Sequence, residues 1–269
     1  MIRWLVTPMT AGFLVLFGAA ACGGSNDFDD PDPPVGAAVL PDIVPTPPEY
    51  LQMFRKEGGK RWEIAFSSTL VNIGDGPFVL RAKRDGDGAW HVEQIVEHAT
   101  SGAEVVAVPA ELVWGGDGHD HWHISRVATN RLVRLGADGK PVDEEGLVDS
   151  KVGFCFYDHT QRRAQGVDDP VYVHESCGKE DDVRIGMGLS PGWEDIYPFI
   201  LPGQTIDVSD VPDGRYRLWV TADENGWFHD RSHENNVTWA DLELTTKGEN
   251  RFAEVLDTGP TPRKDKVVN

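Results

Sequence analysis

The chain has 269 residues, of which 40% are hydrophobic and 9% aromatic, enough for one substantial core. Its formal charge of −19 excludes nucleic acid as an expected partner, since that role needs a basic footprint; it suits either attraction of cationic amines or plain solubility charge on an exported protein.

The first residues, "MIRWLVTPMTAGFLVLFGAAACGGS", place Arg3 ahead of an apolar run that ends in small residues before Cys22. The run is short for a membrane span and reads as an export signal over residues 1–21. The alanines before Cys22 and Gly23 after it resemble a bacterial lipoprotein box, with Cys22 as the lipidated mature N-terminus; ordinary cleavage near Ala21 is the alternative. An exported, lipid-anchored protein at the cell surface or outer membrane is expected. Residues 22–39 are acidic, rich in Pro and Gly, and read as a disordered tether.

From Leu40 the signals are those of strands. "WEIAFSSTLVNIG" is β-branched and aromatic and closes at "GDGP"; "FVLRAKRDGDGAWHVEQIVEH" has two extended pieces around a Gly-Asp turn and predicts a hairpin. "PPEYLQMFR" reads as one helical turn. "RLVRLGADGKPV" predicts a strand and turn, "KVGFCFYD" is apolar and aromatic, and "GQTIDVSDVPDGRYRLWVTAD" predicts two strands joined at Pro-Asp-Gly. "NNVTWADLEL" supplies a last strand, and residues 246–269 read as a loose tail. Many short strands with closely spaced turns predict an all-β chain, an antiparallel β-sandwich with long connecting loops over residues 40–245. Apart from Cys22 there are two cysteines, Cys155 and Cys177, an even pair in an exported chain. A disulfide between them is expected, with two buried thiols as the alternative.

"GHDHWHIS" sets His119, His121 and His123 at alternate positions. On a strand their imidazoles project to one face while Asp120 and Trp122 face away. Four strand steps separate the outer Cα atoms by roughly 13 Å, whereas a metal–nitrogen bond is about 2 Å, so the segment must bend if all three bind one ion. Gly115, Gly116 and Gly118 provide the freedom for that. Imidazoles suit Cu(II), Zn(II), Ni(II) or Fe(II), so the histidines alone do not name the metal.

The order of H-D-H-W-H, "SKVGFCFYD", "GLSPGWEDIYPFILPGQTIDVSDVPDGRYRLWV" and "ENNVTWADLEL" resembles the lysyl oxidase family of copper amine oxidases from about Trp114 to Leu244. The resemblance implies His119, His121 and His123 as copper ligands. It also implies a lysyl tyrosylquinone cofactor formed from Lys151 and Tyr197, the tyrosine of S-P-G-x-x-D-x-Y. Asp195 reads either as the base, ahead of Glu194, or as a carboxylate that supports the turn and the residues around the site. Implied partners are dioxygen, a primary amine or lysine-bearing protein as substrate, and a membrane through the anchor at Cys22. The chain departs from animal members in its few cysteines and in "VWGGDG" before the first histidine. No dinucleotide glycine fingerprint follows a strand, so a cofactor made from the chain's own residues fits amine oxidation. His159 and His174 read as surface groups, and Asn235 and Asn236 as turn residues. Two other readings are a non-catalytic cell-surface metal-binding β-sandwich, which leaves Lys151 and Tyr197 without a purpose, and a zinc or iron enzyme on a cupin-like barrel, which leaves S-P-G-x-x-D-x-Y unexplained.

Overall fold

The computed structural model describes residues 29–56, 58, 61–115, 120–142, 146–148, 153–163 and 166–262. Of the site residues expected above, Cys22, His119 and Lys151 lie outside them, as do the export signal and Gly116 and Gly118. In chain order the strands are β1 (Ile43–Pro45), β2 (Glu49–Arg55), β3 (Trp62–Asn72), β4 (Phe78–Arg84), β5 (Trp90–Glu97), β6 (Ala103–Val108), β7 (Leu112–Trp114), β8 (Trp122–Ile124) and β9 (Ala128–Arg134). They continue with β10 (Leu147–Val148), β11 (Thr160–Gln161), β12 (Arg184–Leu189), β13 (Trp193–Tyr197), β14 (Thr205–Asp207), β15 (Gly214–Ala222), β16 (Val237–Lys247) and β17 (Asn250–Thr258). One turn of 3-10 helix, His174–Cys177, is the only helical element among the described residues.

All pairings between these strands are antiparallel, and they build the expected β-sandwich architecture from several sheets. β3 is the organising strand: it pairs with β1, β2, β13 and β14. Its run "WEIAFSSTLVN" is buried almost throughout rather than on alternate residues, as expected of a strand covered on both faces. Ile64 and Phe66 enter one core with Leu132, Leu218 and Leu242, whereas Leu70 enters a second core with Phe78, Phe154, Phe156 and Trp122. A sheet ordered β10-β9-β15-β16-β17 and another ordered β12-β4-β5-β6 complete the body. The hairpin predicted at the Gly-Asp turn is β4–β5, with Arg84 opposite Trp90.

Three expectations are corrected. "PPEYLQMFR" is not helical: Glu49–Arg55 is a strand that pairs with β3. A run this short is decided by the partner it meets, and Leu51 and Met53, two apart, pack on the core of Ile64 and Phe66. The tail is not loose over its first half, because Asn250–Thr258 pairs along β16. The tether also ends earlier, since Val35 and Ala38 bridge to Ser101 and His98.

Candidate functional site

Three segments meet on the larger core. The first is the β7–β8 hairpin, with Val113 opposite His123 and Trp114 opposite Trp122. The Gly115 N–H donates to the His121 carbonyl at 3.1 Å, and His121 sits at a bend just before β8 begins. The second is "GFCF": Ile124 and Phe154 exchange backbone hydrogen bonds of 2.8 and 3.0 Å, laying this segment along β8. At Gly153 a Cβ would stand 3.1 Å from that of His123, tighter than an ordinary contact, so glycine lets the two segments approach closely. The third is β13, entered through Ser190-Pro191-Gly192-Trp193. Gly192 has φ +83° and the Trp193 N–H donates to the Ser190 carbonyl at 3.1 Å, so proline and glycine occupy the second and third positions that a type II turn favours.

Asp158 ties these parts together. Its carboxylate accepts the N–H groups of Val171, Tyr172 and Ser190 at 2.8, 3.2 and 2.7 Å, and the Ser190 hydroxyl at 2.8 Å. One buried side chain thus fixes both the loop leading to His174 and the turn opening β13. The Cys155–Cys177 disulfide, with Cα atoms 5.8 Å apart, adds a covalent clamp three residues beyond His174.

The rings of His121 and His123 have centroids 4.5 Å apart, and His174 stands nearly perpendicular to His121 at 4.6 Å. Two imidazoles bound at about 2 Å to one ion, at right angles, have ring centres roughly 4.5 Å apart, so the donor type and spacing fit a metal such as copper. Among the described residues no three His, Cys, Asp or Glu side chains close on one point, and His119, the remaining histidine of the motif, is not one of those residues. His123 is buried and its ring lies 6.0 Å from that of Tyr197. Tyr197, 4% exposed, packs on Phe154 at 4.4 Å and accepts the Cys155 N–H on Oη at 2.7 Å. A pocket of about 370 Å³ opens over these groups, lined by His121, His159, His174, Tyr157 and Tyr197 together with Asp120, Pro198 and Leu201.

Asp195 lies two residues before Tyr197 on β13, hence on the same face of the strand. It is 0% exposed, and neither carboxylate oxygen has a hydrogen-bond partner among the described residues. Burial holds its pKa well above the ordinary carboxylate range; the nearby Ile196 N–H opposes the shift and the Asp158 charge adds to it. Burial and the Asp195 charge also raise the Tyr197 phenol, and the same two causes push Tyr157 up to about 12. Glu194 does something else: it is buried and ion-paired with Arg162.

His159 and His174 are exposed, as expected of surface groups, but both line the pocket, which sequence reasoning did not anticipate. The available signal was the position of His174 three residues ahead of a cysteine expected to be bridged. Asp120 lines the pocket beside His121 instead of facing away, because regular strand alternation begins only at Trp122. Trp122 does point elsewhere, packing edge-on to Trp90 and Trp114. Asn235 donates to Asp42 at 2.9 Å, holding the loop before β16 to the chain just ahead of β1.

No individually curated protein matches the chain. The family model described as "Lysyl oxidase" matches residues 112–252, more than half of the sequence, and this stretch contains the hairpin, the disulfide, β13 and the pocket. The chain belongs to the lysyl oxidase family.

Proposed function

We propose that the protein is a copper-dependent amine oxidase that converts peptidyl lysine or other primary amines to aldehydes with release of hydrogen peroxide and ammonia. The observation that carries this reading is the placement of the His121 and His123 imidazoles side by side, His123 next to the Tyr197 ring, at a pocket lined by His121 and Tyr197 and open to an amine. His121 and His123, with His119 of the same motif, would hold copper, and Lys151 with Tyr197 would provide the lysyl tyrosylquinone. Bound there, copper with dioxygen would supply the oxidising power to make this cofactor, which would take up the electron pair of the amine.

The remaining work belongs to the chain's own side chains. The Cys155 N–H fixes the Tyr197 oxygen, and Phe154 fixes its ring plane. Asp195 is the proposed base: its elevated pKa gives the carboxylate a stronger pull on a proton than an ordinary one has, provided the pH is high enough to ionise it. Asp120 gives the pocket an acidic group suited to a cationic substrate. We further propose that the protein is an exported lipoprotein of prokaryotic type, held at the membrane through Cys22, so that its substrates lie outside the cell.

The test is aerobic copper loading of the purified mature protein followed by phenylhydrazine. A new absorption band from a trapped quinone is expected. A colourless, unreactive protein with full copper content would instead favour a metal-binding module without catalysis.

A further inference from the structure

Between Glu49 and Gln52 the register of β2 against β3 shifts, and Tyr50 takes a left-handed φ of +52°. Residues with a Cβ rarely adopt that conformation, and where they do it recurs at functional positions. The Tyr50 side chain is 68% exposed. Its ring stacks on Phe199 at 6.5 Å, and Phe54, also exposed, stacks on Phe199 at 6.3 Å. Beside Phe199 in the chain, Ile200 is 74% exposed, the most of any large apolar residue among those described. A cluster of apolar side chains left in water marks a surface that meets something.

This cluster is continuous with the pocket. Tyr197, Pro198 and Leu201 line the pocket, and Phe199 and Ile200 lie between them on a tight turn closed by the Leu201 N–H to the Pro198 carbonyl at 3.0 Å. The Phe199 N–H donates to Ser67 Oγ at 3.0 Å, pinning the turn to β3. The turn therefore has its two ends in the pocket wall and its apolar tip outside. A small amine held within the pocket has no use for that tip; a substrate that continues beyond the pocket on this side meets it. Charge selects the kind of substrate. The chain carries −19 overall, Asp120 lies in the pocket, and Glu49, exposed, adjoins Tyr50.

We propose that Tyr50, Phe54, Phe199 and Ile200 form a docking lip for peptides in which the lysine entering the pocket is flanked by apolar residues. The inference rests on the amine-oxidase reading for the lysine, while the lip itself is read from β2 and the 198–201 turn. β2 lies outside the segment matched to the family, so this half of the lip is a property of this chain's own N-terminal region.

The experiment compares two short capped peptides, one with leucines and one with serines on both sides of a single lysine, binding to the whole protein before copper loading, when no quinone is present to react with the lysine. The leucine peptide is expected to bind about tenfold more tightly, a modest return for covering a few apolar groups. In Tyr50→Ser/Ile200→Ser the ratio should fall to within about twofold. Should that double variant lose its fold, Ile200→Thr alone, at an exposed turn tip, should still reduce the ratio about threefold. Equal affinities in the unaltered protein, or an unchanged ratio in the variants, would overturn the proposal. So would concentration-dependent dimers that Ile200→Thr abolishes in a protein without peptide preference, because the patch would then be a contact between copies. Peroxide release from butylamine with no peptide preference removes the lip and leaves the amine oxidase; a peptide preference with no peroxide from any amine does the reverse.

Discussion

Tyr197→Phe deletes one oxygen from the centre of the site. The ring contacts with Phe154 at 4.4 Å and His123 at 6.0 Å remain available to phenylalanine, so packing is nearly conserved. What disappears is the 2.7 Å bond from the Cys155 N–H, a group on a fully buried residue. An orphaned buried donor costs about 1–3 kcal/mol, and the easier burial of phenylalanine relative to tyrosine offsets part of this, leaving about 1–2 kcal/mol. In urea unfolding of copper-free protein the midpoint should drop accordingly with an unchanged slope. Copper uptake, measured by metal analysis after loading, should persist because no imidazole is touched, while the phenylhydrazine band should be absent. An unshifted midpoint would refute the hydrogen-bond reasoning, and a phenylhydrazine-reactive chromophore in the phenylalanine protein would refute Tyr197 as the cofactor precursor.

Cys155→Ser/Cys177→Ser opens a clamp spanning 22 positions, and the chain-entropy estimate for such a loop is about 3 kcal/mol, to be read as a lower midpoint in denaturant than oxidised wild type shows. Asp195→Asn should still form the quinone but lower kcat by about 10²–10⁴, as expected for loss of a positioned base, and in the wild type the rising limb of kcat/KM should lie above the ordinary carboxylate range. Asp230 has its pKa raised from 3.8 to about 6 by burial first and the Asp42 charge second. The folded protein therefore holds this proton more tightly than the unfolded chain, so the group's contribution to stability is full below about pH 4 and falls as pH rises through 6. Asp230→Asn should gain on wild type by about 1–2 kcal/mol between pH 4 and 7 in paired urea titrations. A difference that moves the other way with pH would contradict the assignment.

Strand content was legible wherever apolar residues or turn chemistry impose a pattern: the Asp-Gly turn between β4 and β5, the Pro-Asp-Gly turn between β14 and β15 and the alternation of β16 are all visible in the chain. β17 was not visible because pairing, more than burial, holds it. Phe252, Val255 and Leu256 are exposed, and the inward anchor is Arg251, whose guanidinium meets the carbonyls of Val208 and Val211. β2 was ambiguous because Tyr50, Leu51, Met53 and Phe54 satisfy a helical spacing as readily as a strand, and only its partner β3 decides. At the site, alternation within H-D-H-W-H foretold that Trp122 turns away from the histidines. It could not foretell that His174 comes to face His121, since that contact arises from long-range ties through Asp158 and the disulfide.

The most direct test is amine-dependent hydrogen peroxide release by wild type and Lys151→Arg, compared at equal copper occupancy. Arginine keeps the cation and most of the apolar stem, but its guanidinium is not a usable nucleophile for joining to Tyr197. Wild type should release peroxide on addition of a primary amine, and Lys151→Arg should hold copper and release none. Equal rates from the two proteins would contradict the lysyl tyrosylquinone mechanism for this chain.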